Sequence, residues 1–426
     1  MKTAWILVLA ILTTRPLMSH DWSRHDASGS DAGRLPASGV LALKAANAVP
    51  KPSAPPPNVT GTTVSTSLSS ESLNLFFEAF SRFKPAVRFH WDAETFHVES
   101  DGLPSHGMMV GITAWQQQIP LPTHYFDSNA WRLPLVPKPA DTPYLITSNT
   151  FLRGAIALAV NGIPIFNPYN NRGEASALIG ELDQWGGHCG RADDYHYHVS
   201  PLHLTNVVGA SLPVAVALDG YPIFGLVEPD GSAVTGLDGL RGHTNVLGRY
   251  HYHSSLALPY LHAGFRGTVA YVNNQVDPQP SVRPVRPSGV PLNGAMLTGF
   301  TNSAPDRFRL TYQFPGDPAS YHWDWSLQRG ASSVLVTYVT PAGTSQTSYP
   351  NWEPAPPLAP ATLRVRTAPE GTLLLQLTGQ PGRGYALDSS PDLPNWPSTR
   401  YFLFGSDGST NLTLSPLSDR AFFKLR

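Results

Sequence analysis

One pattern is written twice in this chain, and any fold must accommodate both copies. The stretch Leu182 to His198, LDQWGGHCGRADDYHYH, returns from Leu237 to His253 as LDGLRGHTNVLGRYHYH. The interval from Asp183 to His188 equals that from Asp238 to His243, and the interval from His188 to Tyr195 equals that from His243 to Tyr250. The correspondence continues upstream, where Ala155 to Phe166 (AIALAVNGIPIF) parallels Pro213 to Phe224 (PVAVALDGYPIF). Each of these reads as an apolar strand, an Asn-Gly or Asp-Gly turn and a short second strand. The expected unit therefore runs from a buried hairpin through an Asp–His loop to a Tyr-His-Tyr-His strand, at 155–198 and again at 213–253. Two such units predict a pseudo-twofold pair.

In an extended strand, residues two apart share a face. His196 and His198 should project together, with Tyr195 and Tyr197 on the other side, and the same holds for His251 and His253 against Tyr250 and Tyr252. Two imidazoles about 7 Å apart along a strand can close on one cation, and neutral imidazole is a common transition-metal ligand. His188 and His243, each placed by this reading in a loop after a glycine, offer a third nitrogen. Asp183 and Asp238 are candidates for ligation, for orienting an imidazole, or for handling a proton. Three histidines and one acid suit either an open catalytic site or a closed binding site. The structural alternative is an aromatic strand whose histidines only build hydrogen-bond networks.

The rest of the chain supplies context. Its 426 residues predict two or three folded units. With 42 prolines and 36 glycines, a turn-rich, mainly β fold is expected rather than long helices. A net charge of -1 gives no electrostatic case for nucleic acid or an anionic membrane. Cys189 is the single cysteine, which excludes an intrachain disulfide and leaves histidine and carboxylate as the main metal donors. A soft metal such as copper would give Cys189 a role, although a buried free thiol is the simpler expectation.

The apolar run Ala4 to Leu12 behind Lys2 has the length of a signal-peptide core and is too short to span a bilayer. The expected organisation is a signal peptide (1–19), a disordered Pro/Ser-rich tether (20–65) and a domain over 66–351 carrying the internal repeat. A Pro-rich linker (352–361) and a small all-β module (362–426) complete it. Leu73, Phe76, Phe77 and Phe80 follow a helical period, and residues 87–99 read as a hairpin. An irregular, aromatic-rich connection with Trp115 and Trp131 follows; these two and Trp185 are expected in the core. Taken singly, His106, His124, His203, His262 and His322 are expected to be structural.

These motifs resemble the YHYH family, a group of secreted or envelope proteins named for the tetrapeptide. The resemblance covers roughly residues 85–350. It rests on GLPSHG (Gly102 to Gly107), WQQQIPLP (Trp115 to Pro122), NGIPIFNPYN (Asn161 to Asn170), DGYPIFG (Asp219 to Gly225), both GH…YHYH stretches and LPYLHAGFRG (Leu258 to Gly267). Where that family often has Cys-Asn before Gly-His, this chain has Trp185-Gly186 and Leu240-Arg241, so a cysteine-dependent role does not carry over. The segment Tyr385 to Trp396 with the closing Arg420 to Arg426 resembles a small β-module at the ends of many exported proteins of Verrucomicrobia-like bacteria.

The combined expectation is a mainly β protein, a duplicated β-rich YHYH domain followed by a small β-sandwich-like C-terminal module, secreted or held in the periplasm or cell envelope. It would bind a divalent transition metal, zinc or copper foremost, through His188, His196 and His198 and through His243, His251 and His253. If it is an enzyme, it would be a metal-dependent hydrolase with Asp183 and Asp238 handling protons. Its partner would be an unknown small molecule or an extracellular polymer, with no nucleic acid and no transmembrane segment. If one copy alone is active, the first is expected. The alternative is a non-catalytic surface- or carbohydrate-binding protein in which the YHYH strands are structural and the aromatic-rich loops contact the partner.

Overall fold

The protein is described by a computed structural model covering residues 70–340, 342–357, 361–367, 373–390, 396, 398–414 and 422–425. The expected signal peptide, the tether and part of the Pro-rich linker lie outside the described residues. The fold is mainly β, with a C-terminal β module. No helix among the described residues is long and apolar enough to cross a membrane.

The first element is helix α1, Ser70–Ser81. Its stripe of Leu73, Phe76, Phe77 and Phe80 is buried, as the helical period requires, and Glu71 sits in the first turn where the helix dipole favours an acid. The stripe packs on a three-stranded antiparallel sheet (Arg88–Trp91, Thr95–Glu99, Trp131–Pro134), with Phe76 and Phe96 in edge contact at 5.7 Å. Asp92 closes the hairpin, its Oδ1 accepting from the amides of Glu94 and Thr95 at 2.9 and 2.8 Å. The connection that follows is irregular, and its aromatic side chains Trp115, Tyr125 and Trp131 are buried.

The central element is an eight-stranded sheet. Its strands are β1 (Ala155–Ala159), β2 (Pro164–Phe166), β3 (Gly187–Cys189), β4 (Tyr195–Tyr197), β5 (Ala215–Ala217), β6 (Pro222–Phe224), β7 (Gly242–Thr244) and β8 (Tyr250–His253). Their order across the sheet is β7-β8-β6-β5-β1-β2-β4-β3, which is palindromic in its pairings. β1 and β5 meet antiparallel at the middle, with Leu158 opposite Val216. Outward from that axis each half contains an antiparallel hairpin, then a parallel pairing (β2 with β4, β6 with β8), then an antiparallel edge strand. β1 is buried at every position, so its near-continuous apolar sequence is that of a strand covered on both faces.

Beyond the central sheet a five-stranded antiparallel meander spans Met296–Ala304, Arg307–Gln313, Tyr321–Gln328, Ser333–Thr340 and Gly343–Pro350. The C-terminal module comprises two three-stranded sheets, Thr362–Thr367 with Leu373–Thr378 and Ser409–Leu414, and Gly384–Ser390 with Ser398–Leu403 and Phe422–Leu425. They enclose a separate small core of Leu375, Leu377, Leu387, Phe404, Leu412 and Phe423. Trp91 and Tyr401 meet edge-on at 5.7 Å, joining this module to the body of the protein.

Candidate metal centres

The geometry of each histidine cluster follows from register. His188 on β3 pairs directly with His196 on β4, and His243 on β7 with His251 on β8. Directly opposed residues on neighbouring strands put their side chains on one face, and the residue two further along adds a third. His198 and His253 are those third members. The histidines that the sequence suggested were in loops, His188 and His243, therefore stand on short edge strands.

In the second half the ring nitrogens converge. His243 Nε2 and His251 Nε2 are 3.0 Å apart, and His251 Nε2 and His253 Nε2 are also 3.0 Å apart. A residue the sequence reading missed completes the group. Glu228 places Oε1 3.1 Å from His243 Nε2, and Oε2 3.3 Å from His251 Nε2 and 3.5 Å from His253 Nε2. Ligand atoms about 2.0–2.1 Å from a tetrahedral zinc lie about 3.3 Å from one another, so these separations are those of one coordination shell. His251 and His253 are almost wholly buried and Glu228 is largely so.

The outer nitrogens fix the tautomers. His243 Nδ1 lies 2.9 Å from Thr235 O and His253 Nδ1 3.2 Å from Gly225 O. A carbonyl only accepts, so these Nδ1 atoms carry the protons and the Nε2 lone pairs face Glu228 and one another. Burial lowers the pKa values of His251 and His253, with the Glu228 carboxylate opposing the shift in both. Lone pairs from imidazoles and a carboxylate, turned together at about 3 Å, repel one another unless a cation or a proton lies between them.

The first half repeats the arrangement with differences. His188 Nε2 and His198 Nε2 are 3.1 Å apart, and His196 brings a third ring nitrogen within ligand range. His198 Nδ1 lies 2.5 Å from Asn167 O and His196 Nδ1 3.0 Å from Asp194 O. Burial, reinforced by the neighbouring His196, pushes the pKa of His198 down to about 3, and burial holds His188 well below its ordinary value. Neutral imidazole is the form that ligates. No fourth side chain among the described residues joins this group.

Asp183 and Asp238 do not join the histidines; both lie with the tyrosines on the opposite face. Asp183 Oδ2 accepts from Tyr195 Oη and from the Met109 amide, each at 2.8 Å, and its Oδ1 accepts from the amides of Trp185 and Gly187 at 2.8 and 3.2 Å. Asp238 accepts from Tyr250 Oη at 2.8 Å and from the amides of Leu240 and Gly242 at 2.8 and 3.1 Å. The glycine before each edge histidine belongs to this design, since a Cβ on Gly187 or Gly242 would collide with the hydroxyl of Tyr195 or Tyr250. Cys189 is buried one residue beyond His188 and so points away from the cluster.

The other histidines have separate surroundings. His106 sits 2.7 Å from Tyr197 Oη and stacks on Trp185 at 4.7 Å, within the tyrosine-face network. His203 packs edge-on against His106 and Trp185, and His262 lies against Tyr252 and Phe265. Nothing local in the sequence singles out Glu228; the available signal was its position shortly after the repeated Pro-Ile-Phe, where the first half has Asn170.

Comparison with curated proteins and with solved structures returned no match. Residues 130–235 match the family model described as YHYH protein. The matched span includes the first histidine cluster and Glu228 and ends before His243. Over these residues the chain is similar to the YHYH family, with the eponymous tetrapeptide at Tyr195 to His198 on and just after β4, one strand in from the edge of the central sheet.

Proposed function

We propose that this protein binds divalent transition metal, zinc or copper foremost, at the two histidine clusters, and that it is an exported protein of the cell envelope or extracellular space. The observation that carries the reading is the second cluster. Glu228, His243, His251 and His253 bring four acceptor atoms together, and carbonyls at Thr235 and Gly225 fix the tautomers of His243 and His253. Export rests on the apolar run Ala4 to Leu12. The two halves of the sheet, with their matching motifs, are read as one duplicated unit.

A bound cation with a free coordination position would lower the pKa of a coordinated water, so metal-assisted hydrolysis is the reaction class the three-histidine first cluster suits best. Asp183 and Asp238 are no longer the natural proton carriers for that reaction, because each is engaged with backbone amides and a tyrosine on the other face. The alternative of a carbohydrate- or surface-binding protein needs aromatic side chains at the surface of the long connection. Trp115, Tyr125 and Trp131 are buried there instead.

Elemental analysis of the purified protein tests the reading directly. Transition metal near stoichiometric amounts, lost from a Glu228→Ala, His251→Ala variant at the second cluster, is expected. Less than about a tenth of an equivalent, with no thermal shift on adding zinc or copper, would overturn it, because a ligand of the native state must stabilise that state.

A further inference from the structure

We infer that the two clusters hold their ions in different states: protein saturates the ion in the second half, while the ion in the first half keeps one coordination position for water or a small anion. This rests on the metal-binding reading above.

The loops that follow β2 and β6 are built alike. Tyr169 bridges to Ala175 as Val227 bridges to Ala233. The amide of Asn170 donates to Glu174 O at 2.8 Å and the amide of Glu228 to Ser232 O at 2.9 Å; Gly173 and Gly231 return the bond to Asn170 O and Glu228 O at 2.9 and 2.8 Å. His198 and His253 anchor on the carbonyls of Asn167 and Gly225 at the start of the same loops. Asn170 therefore occupies the place of Glu228. Its side chain is committed within its own loop, with Nδ2 donating to Glu174 at 3.0 Å and to Glu181 at 3.2 Å, and Oδ1 accepting from the amides of Arg172 and Glu174 at 2.9 and 3.1 Å. Arg172 locks the arrangement by an ion pair to the buried Glu181 at 2.7 Å.

Chemistry separates the two sites. Three neutral imidazoles leave the charge of a divalent ion undiminished, whereas the Glu228 carboxylate cancels one unit of it. Three protein ligands plus an exchangeable position is the arrangement of open zinc sites, and four protein ligands that of closed ones. The first site is also reinforced from behind. His196 Nδ1 lies 3.5 Å from the Asp194 carboxylate in addition to the Asp194 carbonyl, and Arg249 takes the place of that aspartate in the second half. The Phe166 ring lies flat on His196 at 3.9 Å and fixes its plane. His188 and His243 are alike half-buried, so ligand count and not exposure separates the two sites. The class of ligand is a small anion, or the carbonyl oxygen of an ester or amide.

Cobalt(II) in the full-length protein, with azide as probe, tests this. Uptake at both clusters is expected, with azide shifting the visible absorption of the wild type and of His243→Ala but not of His188→Ala. An azide response that survives in His188→Ala, or that vanishes in His243→Ala, would overturn the inference and move the open position to the second half. Two bound ions that both ignore azide overturn the inference and leave metal binding standing, whereas a chain that takes up no cobalt overturns both. Should His188→Ala fail to fold by circular dichroism, His188→Gln replaces it, because a polar side chain is retained on the edge strand.

Discussion

The hydroxyl of Tyr195 donates to Oδ2 of Asp183 at 2.8 Å, on the opposite face of β4 from His196 and His198. Tyr250 makes the same bond to Asp238 at the same length. The aspartate of each motif thus holds the turn before the edge strand and locks the tyrosine, and the histidines are presented on the other face. Burial raises the pKa of Asp183 despite its hydrogen bonds.

Asp183→Ala should therefore cost stability rather than metal. It strands three amides and a hydroxyl at a buried position, which is expected to cost about 3 kcal/mol or more. Asp238→Ala, at an exposed position, should cost about 1 kcal/mol. Denaturant unfolding gives the cost and elemental analysis the metal; metal loss from a folded Asp183 variant would return that residue to the coordination shell.

Glu228→Gln keeps the shape of the side chain and removes its charge. Metal affinity at the second cluster should fall by more than about 100-fold, beyond the range seen when a group that merely orients a ligand is lost. The first cluster should be unaffected. Competition with a chromophoric chelator reads both, and unchanged affinity at the second cluster would exclude Glu228 as a ligand.

Acid should destabilise the metal-free protein through His106 and His262. Burial lowers them to about 4 and about 3, against 6.5 for the free side chain. A depressed folded-state pKa means that the contribution is complete above pH 6.5 and is lost as pH falls toward those values. Asp219, raised to about 6 by burial, acts in the opposite sense, its contribution fading as pH rises through that value. Neither ring nitrogen of His262 has a partner among the described residues. His262→Leu should thus cost little at pH 7 and flatten the acid limb of a stability–pH curve, and an unchanged limb would contradict the assignment.

Cys189 should be inert in the native state. Burial holds its thiol well above the ordinary range, with Asp193 and Asp194 adding to the shift. A thiol reagent should react only after unfolding, and Cys189→Ala should keep its full metal content. Rapid native labelling would show that the edge strand β3 opens.

Much of this was legible from periodicity and punctuation. The stripe Leu73, Phe76, Phe77, Phe80 became α1, and the residue alternation of Tyr-His-Tyr-His separated the two faces of β4 and β8 as expected. Glu228 was not legible, because it lies in a loop far from the YHYH strands in sequence and reaches them only through the parallel pairing of β6 with β8. Parallel pairing between distant strands leaves no short-range signature. The placement of Asp183 and Asp238 beside the tyrosines was not legible for a related reason: spacing shows that a carboxylate is near a strand but not which face it approaches.

The sequence by itself determined the elements and the side each histidine takes, since both follow from local steric rules of the extended chain. Only the tertiary structure decided which side chains share a centre. It opposed His188 to His196 and His243 to His251, turned Asp183 and Asp238 to the tyrosines, and brought Glu228 to one cluster while Asn170 stayed bound within its own loop. The physical reason is that coordination depends on distances of a few ångströms between residues remote along the chain, and the register of neighbouring strands sets those distances.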